Sequence, residues 1–178
     1  MAAKFAISRG LGLIELQVVA GILAVLAAVA APSLDRLSTR QRMQSVAESF
    51  RSDLQLARMQ AVGTGRTVRF GFGSSAAGSC YVVYQGAEDA CICSADAAPR
   101  CEAGATLITA TRVGAERGTQ FASNATQLII DGQRGTVTPT ATVRFTERHG
   151  SRMAHIVAIT GRVRTCGDAG RRSPPCPA

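Results

Sequence analysis

Residues 10–34 read GLGLIELQVVAGILAVLAAVAAPSL, and this stretch decides the fold. Between Glu15 and Asp35 lie 19 residues, Leu16 to Leu34, without a charge. At 1.5 Å of rise per residue they make about 28 Å of helix, close to the hydrocarbon thickness of a bilayer. The first ten residues carry Lys4 and Arg9 and no acid. The N-terminus is therefore expected to stay cytoplasmic while the rest of the chain crosses. A cleaved secretory signal is the alternative. It would have a shorter apolar core with small residues after it, as Ala28 to Ala31 could supply. Glu15 argues against that alternative. A carboxylate in an apolar helix costs roughly 2.5–3.5 kcal/mol at mid-bilayer, less near the interface, and marks function by default.

Basic leader, Gly10, an apolar Leu11, Glu15 as the fifth residue after the glycine, then a long apolar helix with Pro32: this order resembles type IV pilin-like prepilins. The family usually reads F-T-L-I-E-L after the glycine, and Leu11 and Gly12 depart from it. The resemblance implies that a prepilin peptidase cuts after Gly10 and methylates the new amine of Leu11. It also implies that Glu15 pairs with the N-terminal ammonium of a neighbouring subunit, which offsets the burial of both charges. Pro32 is expected to mark a kink or the membrane exit.

Working outward, residues 34–61 place apolar side chains at Leu34, Leu37, Met43, Val46, Phe50, Leu54, Ala57, Met59 and Ala61, an amphipathic helical spacing. Gly63-Thr64-Gly65 stops it. One helix is predicted over about residues 12–62, its second half packing on a sheet. Strands are predicted at 66–72, 79–85, 105–113, 119–121, 126–131, 141–147, 154–160 and 162–166. No second helix is expected, and the tail 167–178 is expected as a loop. The class is α+β, with a long N-terminal α-helix and a C-terminal antiparallel β-sheet domain, as in the type IV pilin-like fold. Four segments follow: a leader at 1–10, a transmembrane and pilus-core helix at 11–34, its amphipathic continuation at 35–62, and a periplasmic domain at 63–178.

Ala57-Arg58-Met59-Gln60-Ala61 followed by Gly65 and Thr67–Phe70 is similar to the helix end of the FimT/GspH group of minor pilins and pseudopilins. Residues 74–125 carry no motif of that group. The resemblance returns at Gly161-Arg162-Val163-Arg164. FimT-type minor pilins carry a G-R-x-R motif near the C-terminus that is associated with DNA binding in natural transformation. In a strand, Arg162 and Arg164 share one face about 6.6 Å apart, near the spacing of phosphates along a nucleic acid strand.

The charge agrees. The chain has 20 basic and 12 acidic residues, net +8, and only Lys4 of the 20 is lysine. Residues 131–178 hold eight arginines and three acids, net +5. Arginine's planar fork suits phosphate, although GC-rich codon usage would favour it too. Arg148 and Arg152 flank a turn expected around Gly150, and Arg171 and Arg172 lie in the tail; these four are candidate additions to the patch. A solvated strand edge guarded by arginines is the plainer reading of the same residues. Aromatics are 4% of the chain with no Trp, which argues against a base-stacking platform and for phosphate contacts.

The six cysteines all follow residue 79, the pattern of an exported, disulfide-bonded domain. Cys91 and Cys93 are expected to take Cys80 and Cys101 in either order. Cys166 and Cys176 are expected to close the tail. The spacing of the first four is not a common zinc pattern. His149 and His155 have no evident catalytic partners, and there is no phosphate loop or carboxylate pair. No enzyme, metal or cofactor is expected.

The reading is a minor type IV pilin held in the inner membrane by one span, then incorporated with major and minor pilins into a surface pilus, where it contacts double-stranded DNA in competence. The rival is a GspH-like pseudopilin of a type II secretion system. A third possibility is a minor pilin that only primes pilus assembly.

Overall fold

The computed structural model describes residues 12–167 together with Pro174 and Cys176. Helix α1 runs Leu13–Thr64. Strands follow as β1 (Val68–Ser75), β2 (Gly78–Gln85), β3 (Cys91–Ile92), β4 (Arg100–Cys101), β5 (Thr106–Gly114), β6 (Thr119–Ser123), β7 (Gln127–Ile130), β8 (Val137–Thr138), β9 (Ala141–Glu147), β10 (Arg152–Val157) and β11 (Val163–Gly167), with a 3-10 turn at Ala115–Arg117. The chain divides into two units, Met1–Leu37 and Ser38–Ala178.

In the first unit the helix is built from Leu, Val, Ile and Ala, which lose little on entering a helix or gain from an apolar surround. Its large apolar side chains, among them Ile14, Val18, Ile22 and Leu26, are all solvent-facing within the chain. The helix is long and apolar enough to cross a membrane. It is unbroken at Pro32. Gly12 N–H donates to the Glu15 carboxylate at 3.4 Å, satisfying one of the donors that a helix start leaves open.

The second unit buries one stripe of the helix: Met43, Ala47, Phe50, Leu54, Ala57 and Ala61 are all fully buried. The steps between them alternate four and three, the period that keeps side chains on one face. Met59 falls outside that phase and is 66% exposed, against the sequence expectation; Val46 is only partly buried. The helix ends at Thr64, and Gly65 beyond it takes φ +67°, the left-handed cap that glycine supplies.

Two antiparallel sheets share this core. One has the order β5-β2-β1-β7-β8 and the other β11-β10-β9-β6. Six of the eight aromatic rings gather in it. Phe50 alone meets Phe70, Phe72, Tyr81 and Phe145 at centroid distances of 5.7, 6.0, 5.7 and 6.3 Å. The scarce aromatics are thus spent on the interior. Tyr81 donates to Asp53 Oδ2 at 2.7 Å, tying β2 to the helix, and its burial raises the phenol above its ordinary pKa.

His155 is in this core as well. Its Nε2 lies 3.0 Å from the Ala47 carbonyl and its Nδ1 3.0 Å from Thr165 Oγ1, with the ring stacked on Phe50. Both ring nitrogens are satisfied, which is what a buried imidazole requires. Burial pulls its pKa below the ordinary value, only partly offset by the Ala47 carbonyl.

Three disulfides join Cys80 to Cys93, Cys91 to Cys101 and Cys166 to Cys176. Gly73 stands opposite Cys80 in β1; a Cβ there would lie 2.9 Å from Cys80 Sγ. The short pair β3–β4 is the Cys91–Cys101 link and its flanks.

Candidate nucleic-acid interface

Strand alternation sorts the four-stranded sheet into two faces. Val143, Phe145, Met153, His155 and Val157 point into the core, with Val163 packed against it. Thr165 joins them through its contact with His155. The residues between them form the outer face: Arg144 and Thr146 on β9, Arg152, Ala154 and Ile156 on β10, Arg164 and Cys166 on β11. The register sets Arg164 beside Ile156, Cys166 beside Ala154 and Ala154 beside Arg144. Arg144, Arg152 and Arg164 are all exposed. At about 4.8 Å between strands and 3.3 Å per residue, Arg144 lies roughly 8 Å from Arg152 and 12 Å from Arg164, Cα to Cα. No described residue of this face is acidic.

Arg162 is not a strand residue, against the expectation. β10 ends at Val157 and β11 begins at Val163, so the connection is the five residues Ala158–Arg162. Gly161 N–H bonds the Ala158 carbonyl at 2.8 Å, and Ala158 N–H bonds the Arg162 carbonyl at 3.0 Å. Arg162 therefore projects from the closing residue of the turn, exposed, two residues before Arg164.

The glycine of Gly161-Arg162-Val163-Arg164 has its own cause. Gly161 takes φ +73°, a conformation that costs other residues about 1–2 kcal/mol. A Cβ on it would stand 3.0 Å from Arg58 Cδ. Arg58 in turn donates from Nε to the Gly135 carbonyl at 2.9 Å, and Gly135 is also left-handed at φ +64°. One helical arginine thus lies against two glycine turns, bonded to the one at Gly135 and packed close on the one that carries Arg162 and Arg164. In the sequence Arg58 is legible only as part of the helix end, because its partners lie 77 and more residues away.

The other candidates scatter. Arg148 and Arg152 sit at the opposite end of β10 from Arg162. Arg148 lies across Gly118, where an added Cβ would approach its Cδ to 2.9 Å, and its Nε is 3.3 Å from His149 Nε2. Its turn is held by Glu147, which accepts the N–H groups of His149 and Ser151 at 2.7 Å each. Burial pushes the Glu147 carboxyl up, but those bonds outweigh it, and its pKa lies below the ordinary value. So the structure brings Arg152 to the face with Arg164 and leaves Arg148 at its rim. Arg144, absent from the sequence candidates, joins the face; the alternation of Ala141–Glu147 carried that signal. Gly10, Leu11, Arg171 and Arg172 lie outside the described residues. The Pro174 carbonyl accepts the Gly167 N–H at 3.0 Å, next to the Cys166–Cys176 bond on the outer face.

A family model described as "Type II transport protein GspH" matches residues 46–161. The chain belongs to the GspH family. The matched span takes in residues 74–125, where the sequence alone offered no motif, and it stops before Arg162 and Arg164. Two solved structures share the fold of this GspH-family chain. The minor pseudopilin EpsH from the Type 2 Secretion System of Vibrio cholerae is 16% identical, with a TM-score of 0.50 over 70% of this chain and 95% of that one. The Pseudomonas aeruginosa type IV minor pilin FimU is 15% identical, with a TM-score of 0.52 over 72% of this chain and 90% of that one. At these identities the likeness is one of fold. No curated protein matches the chain significantly.

Proposed function

We propose that this GspH-family chain is a minor type IV pilin whose outer sheet face binds double-stranded DNA, without sequence preference, for uptake in natural transformation. The observation that carries the reading is the face bearing Arg144, Arg152 and Arg164, with no acid among its described residues, extended by Arg162 at its end. Phosphate contacts dominate sequence-independent DNA affinity. Four such arginines give a slope of log K against log salt of about −3.6, at about −0.9 per phosphate, with affinity micromolar or weaker. The apolar helix anchors the precursor in the inner membrane, and Glu15 enters the pilus core opposite a neighbour's N-terminus after cleavage at Gly10.

The test is a gel shift of the full chain in detergent against a short duplex, with Arg162→Gln plus Arg164→Gln as the comparison. The double variant should lose most binding at unchanged melting temperature, since exposed arginines contribute little to stability. Equal binding by both proteins, or no binding by the wild type at low salt, overturns the reading. A second reading is a secretion pseudopilin with a structural role. It is favoured by the description of the family and by a matched span that ends at Gly161. It leads if the wild type does not bind.

A further inference from the structure

A groove of about 430 Å³ opens at the other sheet, lined by Arg42 and Val46 of α1, Arg112 and Val113 of β5, Arg117 of the 3-10 turn, and Thr119 at the start of β6. Thr119 is 1% exposed, and its Oγ1 is the one buried side-chain polar atom among the described residues with no hydrogen-bond partner. A buried hydroxyl without a partner is uncommon, and a ligand is one of the things that explains it. The three arginines stand exposed around it. The opposing charge is Glu116, 3.8 Å from Arg117 and well exposed; Arg112 also lines a neighbouring groove that contains Asp96. Three arginines thus stand against Glu116 and Asp96, while Glu147, opposite Thr119 in the β6–β9 register, is held by the N–H groups of its own turn, which leaves the groove weakly positive.

We infer that this groove binds a carboxylate side chain from an extended acidic segment of a neighbouring pilin-like subunit, held by Arg42 and Arg117 with Thr119 Oγ1 as an added donor. The apolar stretch of the groove at Val46 and Val113 fits the methylenes of such a side chain. β5 is an edge strand, paired only with β2, so its outer backbone groups are open to an extended segment lying alongside. A duplex is a poor occupant, because its phosphates lie on a wide convex ridge and Thr119 lines a concavity.

The probe is acetyl-Glu-Leu-Glu-amide, titrated into the methyl-labelled full chain in detergent, with acetyl-Gln-Leu-Gln-amide as the neutral control. The acidic peptide should move the methyl signals of Thr119, Val46 and Val113, and the neutral peptide should leave them in place. Arg42→Gln with Arg117→Gln should weaken the response at least about tenfold, the scale of lost charged hydrogen bonds. Thr119→Val keeps the shape and removes only the hydroxyl. It should weaken binding several-fold without lowering the melting temperature. Arg162→Gln with Arg164→Gln should change nothing, which separates this site from the DNA face. Equal shifts with both peptides, no shift at all, or full binding by the Arg42 and Arg117 double variant overturns the inference. So does a short DNA duplex that moves these methyls at lower concentration than the peptide.

Discussion

Gly161→Ala isolates the device that aims Arg162 and Arg164. Alanine at φ +73° costs about 1–2 kcal/mol from backbone strain alone. The new methyl meets Arg58 Cδ at 3.0 Å and Nε at 3.3 Å, so Arg58 must shift. Its 2.9 Å bond to Gly135 then weakens, for up to about 1 kcal/mol more. The total of roughly 1–3 kcal/mol should lower the melting temperature by about 3–9 °C for a unit of this size. Arg58→Met removes the same bond and keeps an unbranched apolar stem, so alone it should cost about 1 kcal/mol. Combined, the two should cost less than their sum by about 0.5–1 kcal/mol, because methionine has no bond left for the methyl to disturb. Near-ultraviolet circular dichroism melts of the full chain in detergent provide the cycle. DNA affinity by gel shift should fall several-fold in Gly161→Ala with both arginines still present. A melting temperature within a degree of wild type, or strict additivity, refutes the clamp.

Gly10→Val should leave uncleaved precursor in the membrane, and mass spectrometry finding Leu11 as the N-terminus of that variant would exclude the peptidase site. Glu15→Ala should still be cut but should enter pili poorly; normal incorporation removes the ion-pair argument. His155 has a folded pKa depressed by burial, so its stabilising contribution is full above about pH 6.5 and is lost as pH falls towards the folded value. Denaturation series should show stability declining below about pH 6.5, by at most about 1.4 kcal/mol per pH unit for one proton. In His155→Gln that portion should flatten, leaving only the decline in the carboxylate range, where the lowered groups Asp131 and Glu147 protonate. Cys166→Ser with Cys176→Ser opens a loop of sequence separation 10 and should cost roughly 2–3 kcal/mol, read as a lower unfolding midpoint; an unchanged midpoint would refute the chain-entropy contribution of this link.

Most of the fold was legible because two periods carry it. The stripe Met43–Ala61 and the alternating strand Ala141–Glu147 emerge from hydrophobic spacing alone. What was not legible depends on partners distant in sequence. Strands β3 and β4 have two residues each and follow from a disulfide. β8 is two residues added to β7 and has no pattern of its own. Met59 looked like a stripe residue because one apolar side chain cannot announce its phase. Arg162 looked like a strand residue because Thr160-Gly161 suggested a two-residue turn, whereas the backbone uses five. Arg58 and the unpartnered Thr119 hydroxyl required coordinates. Arg144 did not, since the same alternation that buries Val143 and Phe145 sends it outward.

The two faces of the β9–β11 sheet explain why family membership and DNA contact are separate questions. The inner face is fixed by packing: His155 stacks on Phe50 and Phe145 packs against it at a tilt, and a change there carries the cost of a cavity or a lost hydrogen bond. The arginines of the outer face carry no such constraint. Arg144, Arg152 and Arg164 are exposed and could be exchanged for neutral polar residues at little cost in stability. Membership of the family, matched over residues 46–161, therefore does not decide whether the outer face is basic. Only Gly161 links the two, because its conformation is both a core requirement, through Arg58, and the pivot that presents Arg162. The matched span ends on that glycine. The physical boundary between what the fold demands and what the surface adds thus falls inside Gly161-Arg162-Val163-Arg164, and the arginines after the glycine are the residues on which DNA binding should be decided.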